Sequence, residues 1–123
     1  MSIHILHVED ERDLRSVFAE VILIIDSEVT LKQFPSADDA LGYIGEHGKT
    51  VDVFVLDIRL PGVLTGLQLA ANIRELGCDG HIIITSAYQM PPVDLLQNLR
   101  AEYVSKPWNV PDFFMHILDS AAK

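Results

Sequence analysis

The chain has 123 residues, 49% of them apolar, which is enough for one domain with its own hydrophobic core and too few for two. Eighteen acidic side chains against nine basic ones give a formal net charge of −9, so the average surface field repels nucleic acid and anionic membrane, and binding to neither is expected. A single cysteine, Cys78, excludes an internal disulfide, no Cys/His spacing of the zinc type occurs, and no apolar run reaches membrane-spanning length or forms a secretion signal, so a cytoplasmic protein is expected.

In chain order, Ile3 to Val8 is a mostly apolar run that ends at acids and is expected to be a buried strand. Leu14, Val17, Phe18, Val21, Ile22 and Ile25 then keep the three-four spacing of one apolar face, which predicts a helix over residues 11–25. Val29 and Leu31 alternate with polar residues as a half-exposed edge strand does. Ser36 followed by Asp39 is a capping-box-like start for a second helix carrying Ala37, Ala40, Leu41 and Ile44.

Val51 to Leu56 reads as a second buried strand. After it Thr65 caps a third helix with Leu69, Ala70, Ile73 and Leu76 inward and Gly77 as its stop. His81 to Ile84 is a further strand, and Pro91-Pro92 opens a short helix through Leu95, Leu96 and Leu99, since proline is tolerated in a first turn. Tyr103-Val104 is the shortest strand candidate. In the last helix Asn109 caps, Pro111 lies in the first turn, and Val110, Phe113, Phe114, Ile117, Leu118 and Ala121 share a face. Five strand-helix units without repeat or linker imply one α/β domain over residues 1–123, an open parallel sheet with helices on both faces.

In such sheets ligands bind beyond the carboxyl ends of the strands, where strand order reverses. Glu9 and Asp10 follow the first strand, Asp57 the third, Thr85 and Ser86 end the fourth, and Ser105 and Lys106 follow the fifth. With strand order 2-1-3-4-5 these groups share one rim. Carboxylates so close repel unless a cation neutralises them, and an all-oxygen donor set points to Mg²⁺, which keeps waters and accepts carboxylates together with phosphate oxygens. Alone, each residue has an ordinary reading: acids suit a helix start, Asp57 a turn, Thr85 a strand, and Lys106 a surface. The combination at four strand ends gives the pattern its weight.

Four stretches carry a resemblance: V-E-D-E at Val8 to Glu11, V-L-D-I-R-L-P-G at Val55 to Gly62, I-I-T-S-A at Ile83 to Ala87, and Y-V-S-K-P-W at Tyr103 to Trp108. Along its whole length the chain resembles the receiver domain of bacterial two-component response regulators, of the flavodoxin-like fold with strand order 2-1-3-4-5. The resemblance implies that Asp57 is the phosphoacceptor. It implies that Asp10 is the direct Mg²⁺ ligand, Glu9 acts through water, and the backbone carbonyl of Arg59 is a further ligand. Thr85 matches the switch hydroxyl, Tyr103 the switch aromatic, and Lys106 the phosphate-pairing lysine, with a cis Lys106-Pro107 bond.

By the same resemblance the donor is a sensor histidine kinase or histidine phosphotransfer protein. The chain is expected to be a regulatory phosphoacceptor more than an enzyme, with self-catalysed phosphorylation and slow hydrolysis. It is expected to be a monomer or weak dimer, either free-standing or cut from a larger hybrid protein. The rivals are an Mg²⁺-dependent aspartate-nucleophile phosphatase, which would carry a second Asp where Arg59 stands, and a pseudo-receiver used only for docking. Two stretches depart from the family pattern. Val63-Leu64-Thr65-Gly66 replaces a shorter Asp-Gly close, and Arg100-Ala101-Glu102 lacks the usual Gly-Ala. The five histidines are scattered without ligand spacing and are expected at solvated or core-edge positions, and Trp108 is expected to pack at the start of the last helix.

Overall fold

A computed structural model describes residues 2–122. Strands β1 (His4–Val8), β2 (Thr30–Phe34), β3 (Val53–Asp57), β4 (His81–Ser86) and β5 (Ala101–Ser105) form one sheet in the order β2-β1-β3-β4-β5. Every pairing is parallel. Helices α1 (Arg12–Ile25), α2 (Ala37–His47), α3 (Gly66–Glu75), α4 (Val93–Leu99) and α5 (Val110–Ala121) complete the alternation, with a 3-10 turn at Gly48–Thr50.

The alternation of side chains along each strand sorts the core into two. Leu6, Val8, Phe54, Leu56, Ile82 and Ile84 meet α2, α3 and α4, whereas Ile5, Val53, Val55 and Ile83 meet α1 and α5. The expected caps are present. Thr65 and Gln68 form a reciprocal capping box on α3, while Ser36 and Asn109 accept from the backbone N–H groups of Asp39 and Asp112. The Ser36 cap is one-sided. Pro92 is the residue before α4, not inside its first turn.

Helix α1 departs from its sequence pattern. Only Phe18 and Ile22 are buried, and Val17 and Ile25 are about half exposed, because the helix covers the sheet beside α5 and presents a narrower face than the periodicity suggests.

The connection from α4 to β5 shows what replaces the missing Gly-Ala. Arg100 itself takes the left-handed conformation, at φ 53° and ψ 47°, where an L side chain costs about 1 kcal/mol. The turn is held from outside by Arg74 of α3. Its Nε donates to Leu99 O at 2.7 Å, Nη1 to Cys78 O and Gly80 O at 2.9 Å each, and Nη2 to Arg100 O at 3.0 Å. One guanidinium thus ties α3, the entry to β4 and the entry to β5.

One histidine lies where the sequence did not put it: His7 is fully buried on the α1/α5 side, its ring 4.2 Å from that of Phe18. Gln33 Nε2 donates to Arg15 O at 3.0 Å and lies 3.1 Å from His7 Nδ1, so Nδ1 accepts and the proton sits on Nε2, which has no partner among the described residues. Burial, then the charges of Lys106 and Arg15, push the imidazole down to about 3.

Two outcomes follow. Arg74→Met should destabilise the chain by about 2–4 kcal/mol in urea unfolding, because several carbonyls lose a charged donor at once; a loss within error of zero would show that water replaces the guanidinium. His7 binds a proton at an ordinary 6.5 when unfolded and only near 3 when folded, so its stabilising contribution is complete above 6.5 and lost as pH falls toward 3. Relative to His7→Leu, the parent should lose about 1.4 kcal/mol per pH unit as pH falls from 6.5 toward 3. Identical pH slopes for the two proteins would rule this out.

Candidate functional site

The residues singled out at the strand ends come together at the C-terminal edge of β1, β3 and β5. Glu9 follows β1 and is fully buried; Asp57 closes β3 at 7% exposure; Asp10 is exposed at the rim. One carboxylate oxygen from each of the three lies within 4.8 Å of the others. Lys106, arriving from β5, donates from Nζ to Asp57 Oδ2 at 2.8 Å and to Glu9 Oε1. A cavity of about 500 Å³ opens here, lined in part by Asp10, Asp57, Arg59, Tyr88, Lys106 and Trp108.

Local backbone geometry fixes each group. Arg15 of α1 donates to Glu9 O at 2.7 Å and Asp10 O at 3.0 Å, and Glu9 Oε2 accepts from Glu11 N at 3.2 Å. Asp57 Oδ1 accepts from Arg59 N at 3.2 Å. Gly66, the first residue of α3, donates to Ile58 O at 3.0 Å, and a Cβ there would lie 1.9 Å from the carbonyl oxygen of Asp57. Only glycine lets α3 start against the end of β3. The residues that lengthen this loop lie outside that anchor. Gly62 turns at φ 94°, Val63 is 86% exposed, and Val63 N donates to Asp38 Oδ2 of α2 at 3.1 Å. The Lys106-Pro107 bond is cis, as the resemblance implies.

The electrostatics follow from burial. Desolvation raises Glu9 to about 7, with the charge of Asp57 adding to it against the bond from Lys106. Burial works against the charge of Lys106, but its bonds to Asp57 and Glu9 outweigh that and the net shift is upward. The chemistry of the donor set therefore fits a hard divalent cation: three carboxylates with one ammonium between two of them, and no nitrogen or sulfur ligand in the cluster.

The two hydroxyls at the end of β4 point to opposite sides of the sheet. Thr85 is fully buried toward α1 and α5, and its Oγ1 accepts from Trp108 Nε1 at 2.9 Å. Tyr103 packs on the other side, its hydroxyl 3.1 Å from Ser86 O and 3.0 Å from Tyr88 O. Thr85 therefore does not share a face with Tyr103, and its expected pairing with that ring is not what the geometry supports. Ser86, one residue nearer the rim and 1% exposed, does share it, and its Oγ accepts from Tyr88 N at 2.9 Å. The alternation along β4 was the signal available for this distinction, once the strand is extended to Ser86. Sequence spacing likewise did not reveal that the Arg59 guanidinium lies 3.9 Å from the Tyr88 ring centre, at the mouth of the cavity.

A larger cavity, about 690 Å³, lies at the opposite ends of the strands. There His81 and His116 bring Nε2 within 2.6 and 2.8 Å of Glu102 Oε1, and the bonds, His81 first, hold that carboxylate down to about 2 against its burial. Its polar groups are largely engaged with one another or with the backbone. No helix among the described residues is long and apolar enough to cross a membrane.

Comparison with known proteins agrees with this geometry. The response regulator receiver domain family matches residues 5–118. Response regulator TrrA of Thermotoga maritima, solved in complex with Mg²⁺-BeF, is 27% identical, with a TM-score of 0.80 over 96% of this chain and 98% of that one. A LuxR-family DNA-binding response regulator of Staphylococcus aureus is 23% identical (TM-score 0.83, 97% and 98% covered). A CheY-like receiver domain protein of Methanospirillum hungatei is 18% identical (0.82, 99% and 95%). None of the curated proteins compared by sequence matches. With the family matched over nearly its whole length, on the five-stranded 2-1-3-4-5 sheet, the chain belongs to the receiver domains of two-component response regulators.

Proposed function

We propose that the chain is a phosphoacceptor switch in which Asp57 takes a phosphoryl group from a phosphohistidine on a sensor kinase or phosphotransfer protein. The observation that carries this reading is the Lys106 ammonium held against Asp57 and Glu9 at the mouth of an acidic cavity. In the transfer, an Asp57 carboxylate oxygen bonds phosphorus while the donor's P–N bond breaks. The electron pair stays on the imidazole nitrogen, which takes up a proton. Lys106 offsets the charge on the phosphoryl oxygens, and the Asp57 side chain is kept in place by Arg59 N–H.

Asp10 and Asp57 would hold Mg²⁺ directly, with the backbone carbonyl of Arg59, and Glu9 would act through water. Bound there, the ion supplies neutralisation of the carboxylates and of the incoming phosphate. The all-oxygen cluster and the Mg²⁺-BeF complex of the Thermotoga maritima relative support this assignment. The phosphatase alternative has no support at its acid/base position, where Arg59 stacks on Tyr88.

For the response we assign the sensing hydroxyl to Ser86, which lies on the Tyr103 side of β4, in place of Thr85. A phosphoryl oxygen on Asp57 would accept from that hydroxyl, and the turn of the side chain toward it would draw on the bond that Ser86 Oγ accepts from Tyr88 N–H. Tyr103, which bridges the carbonyls on either side of the same turn, then reads the change.

With Mg²⁺ and acetyl phosphate, the chain should gain one acid-stable, base-labile phosphate that Asp57→Asn lacks; undiminished uptake in that variant would remove Asp57 as acceptor. Calorimetric titration should show Mg²⁺ binding weakened about ten-fold by Glu9→Gln and more by Asp10→Ala. Parent-like affinity in Asp10→Ala would exclude it as a ligand.

A further inference from the structure

Thr85 and Trp108 are joined by a hydrogen bond that the switch does not use, and both stand next to the chemistry. Thr85 is the register partner of Asp57 across the β3-β4 ladder, and its carbonyl accepts from Ile58 N at 3.0 Å. Trp108 follows Lys106 by two residues and lines the same cavity as Asp57. Its indole N–H donates to Thr85 Oγ1 at 2.9 Å, its ring stacks on Phe113 at 4.5 Å, and the Lys106 ammonium lies 5.6 Å from the ring centre. Lys106 N donates to Ser86 O at 2.9 Å. The lysine segment is therefore pinned to β4 twice, once through its own backbone and once through the indole.

A lysine side chain is long and has many rotamers, so a fixed aromatic wall beside it limits where the ammonium goes. The wall is fixed only if the indole cannot rotate, and the buried Thr85 hydroxyl is the group that prevents rotation at its N–H edge. We propose that Thr85 and Trp108 are a positioning pair that presents the Lys106 ammonium to Asp57, acting on phosphoryl transfer only through that lysine. The proposal rests on the reading of Asp57 as acceptor.

A structural role alone does not predict two features of this pair. Lys106 bonds the same carboxylates that Mg²⁺ needs, so a loosened ammonium leaves metal affinity unchanged or tighter while transfer slows. The effect of the pair also vanishes once the lysine is gone.

The test is the rate of Asp57 phosphorylation by saturating acetyl phosphate, followed by intact mass, with Mg²⁺ affinity from calorimetry. Thr85→Val and Trp108→Phe should each slow the maximal rate about five-fold, the equivalent of one hydrogen bond, and Thr85→Ser should restore it. In a Lys106→Ala background Thr85→Val should cause no further loss. The proposal is overturned by an unchanged rate in both variants, by an equal loss with and without Lys106, or by a parallel loss of Mg²⁺ affinity. A parent that gains no phosphate dependent on Asp57 would instead defeat the acceptor reading itself.

Discussion

One ammonium between two carboxylates is the interaction on which the rest of the site depends. Glu9 is wholly shielded and Asp57 nearly so, and burial works against the charge of Glu9. Lys106 makes the pair tolerable, and it does so from the far side of the pocket, 97 residues from Glu9 in sequence. No local segment can build such an arrangement. It requires β1, β3 and β5 to end on one rim, which the crossover order of the sheet supplies.

The same arrangement explains why the site is poised rather than inert. An ammonium that satisfies two carboxylates is also an obstacle to a divalent cation seeking them, and a buried Glu9 raised to about 7 holds its charge only as long as a positive partner is near. In the proposed reaction, incoming phosphate would change the balance because it brings negative charge of its own. In the proposed transfer the pocket would exchange counterions, with the lysine passing from its carboxylate partners to the phosphoryl group.

Much of this was legible in the sequence, and the reasons are local. Apolar runs and capping residues such as Ser36, Thr65 and Asn109 report on their own neighbourhoods, so the alternation of strands and helices could be read directly. The acids, Asp57 and Lys106 were legible because strand ends in this topology converge. What was not legible needed facing information. Thr85 and Ser86 are adjacent hydroxyls, and choosing between them requires knowing which way β4 presents each one; His7 looked like any scattered histidine until Phe18 and Gln33 closed over it. Arg74 could not be foreseen, since its partners are four backbone carbonyls and carry no side-chain signature.

The glycine at the start of α3 has a consequence for how this surface can vary. Because Gly66 seats the helix directly on the carbonyl of Asp57, the helix takes its position from β3 and not from the length of chain that precedes it. Residues between Gly62 and Thr65 are spared the task of spacing the helix: Val63 N–H is held by Asp38 of α2, and Leu64 packs against the core on that side. This stretch is a natural graft point. A label or recognition peptide inserted at the exposed Val63 would sit beside the pocket while Leu64 keeps its place on the core.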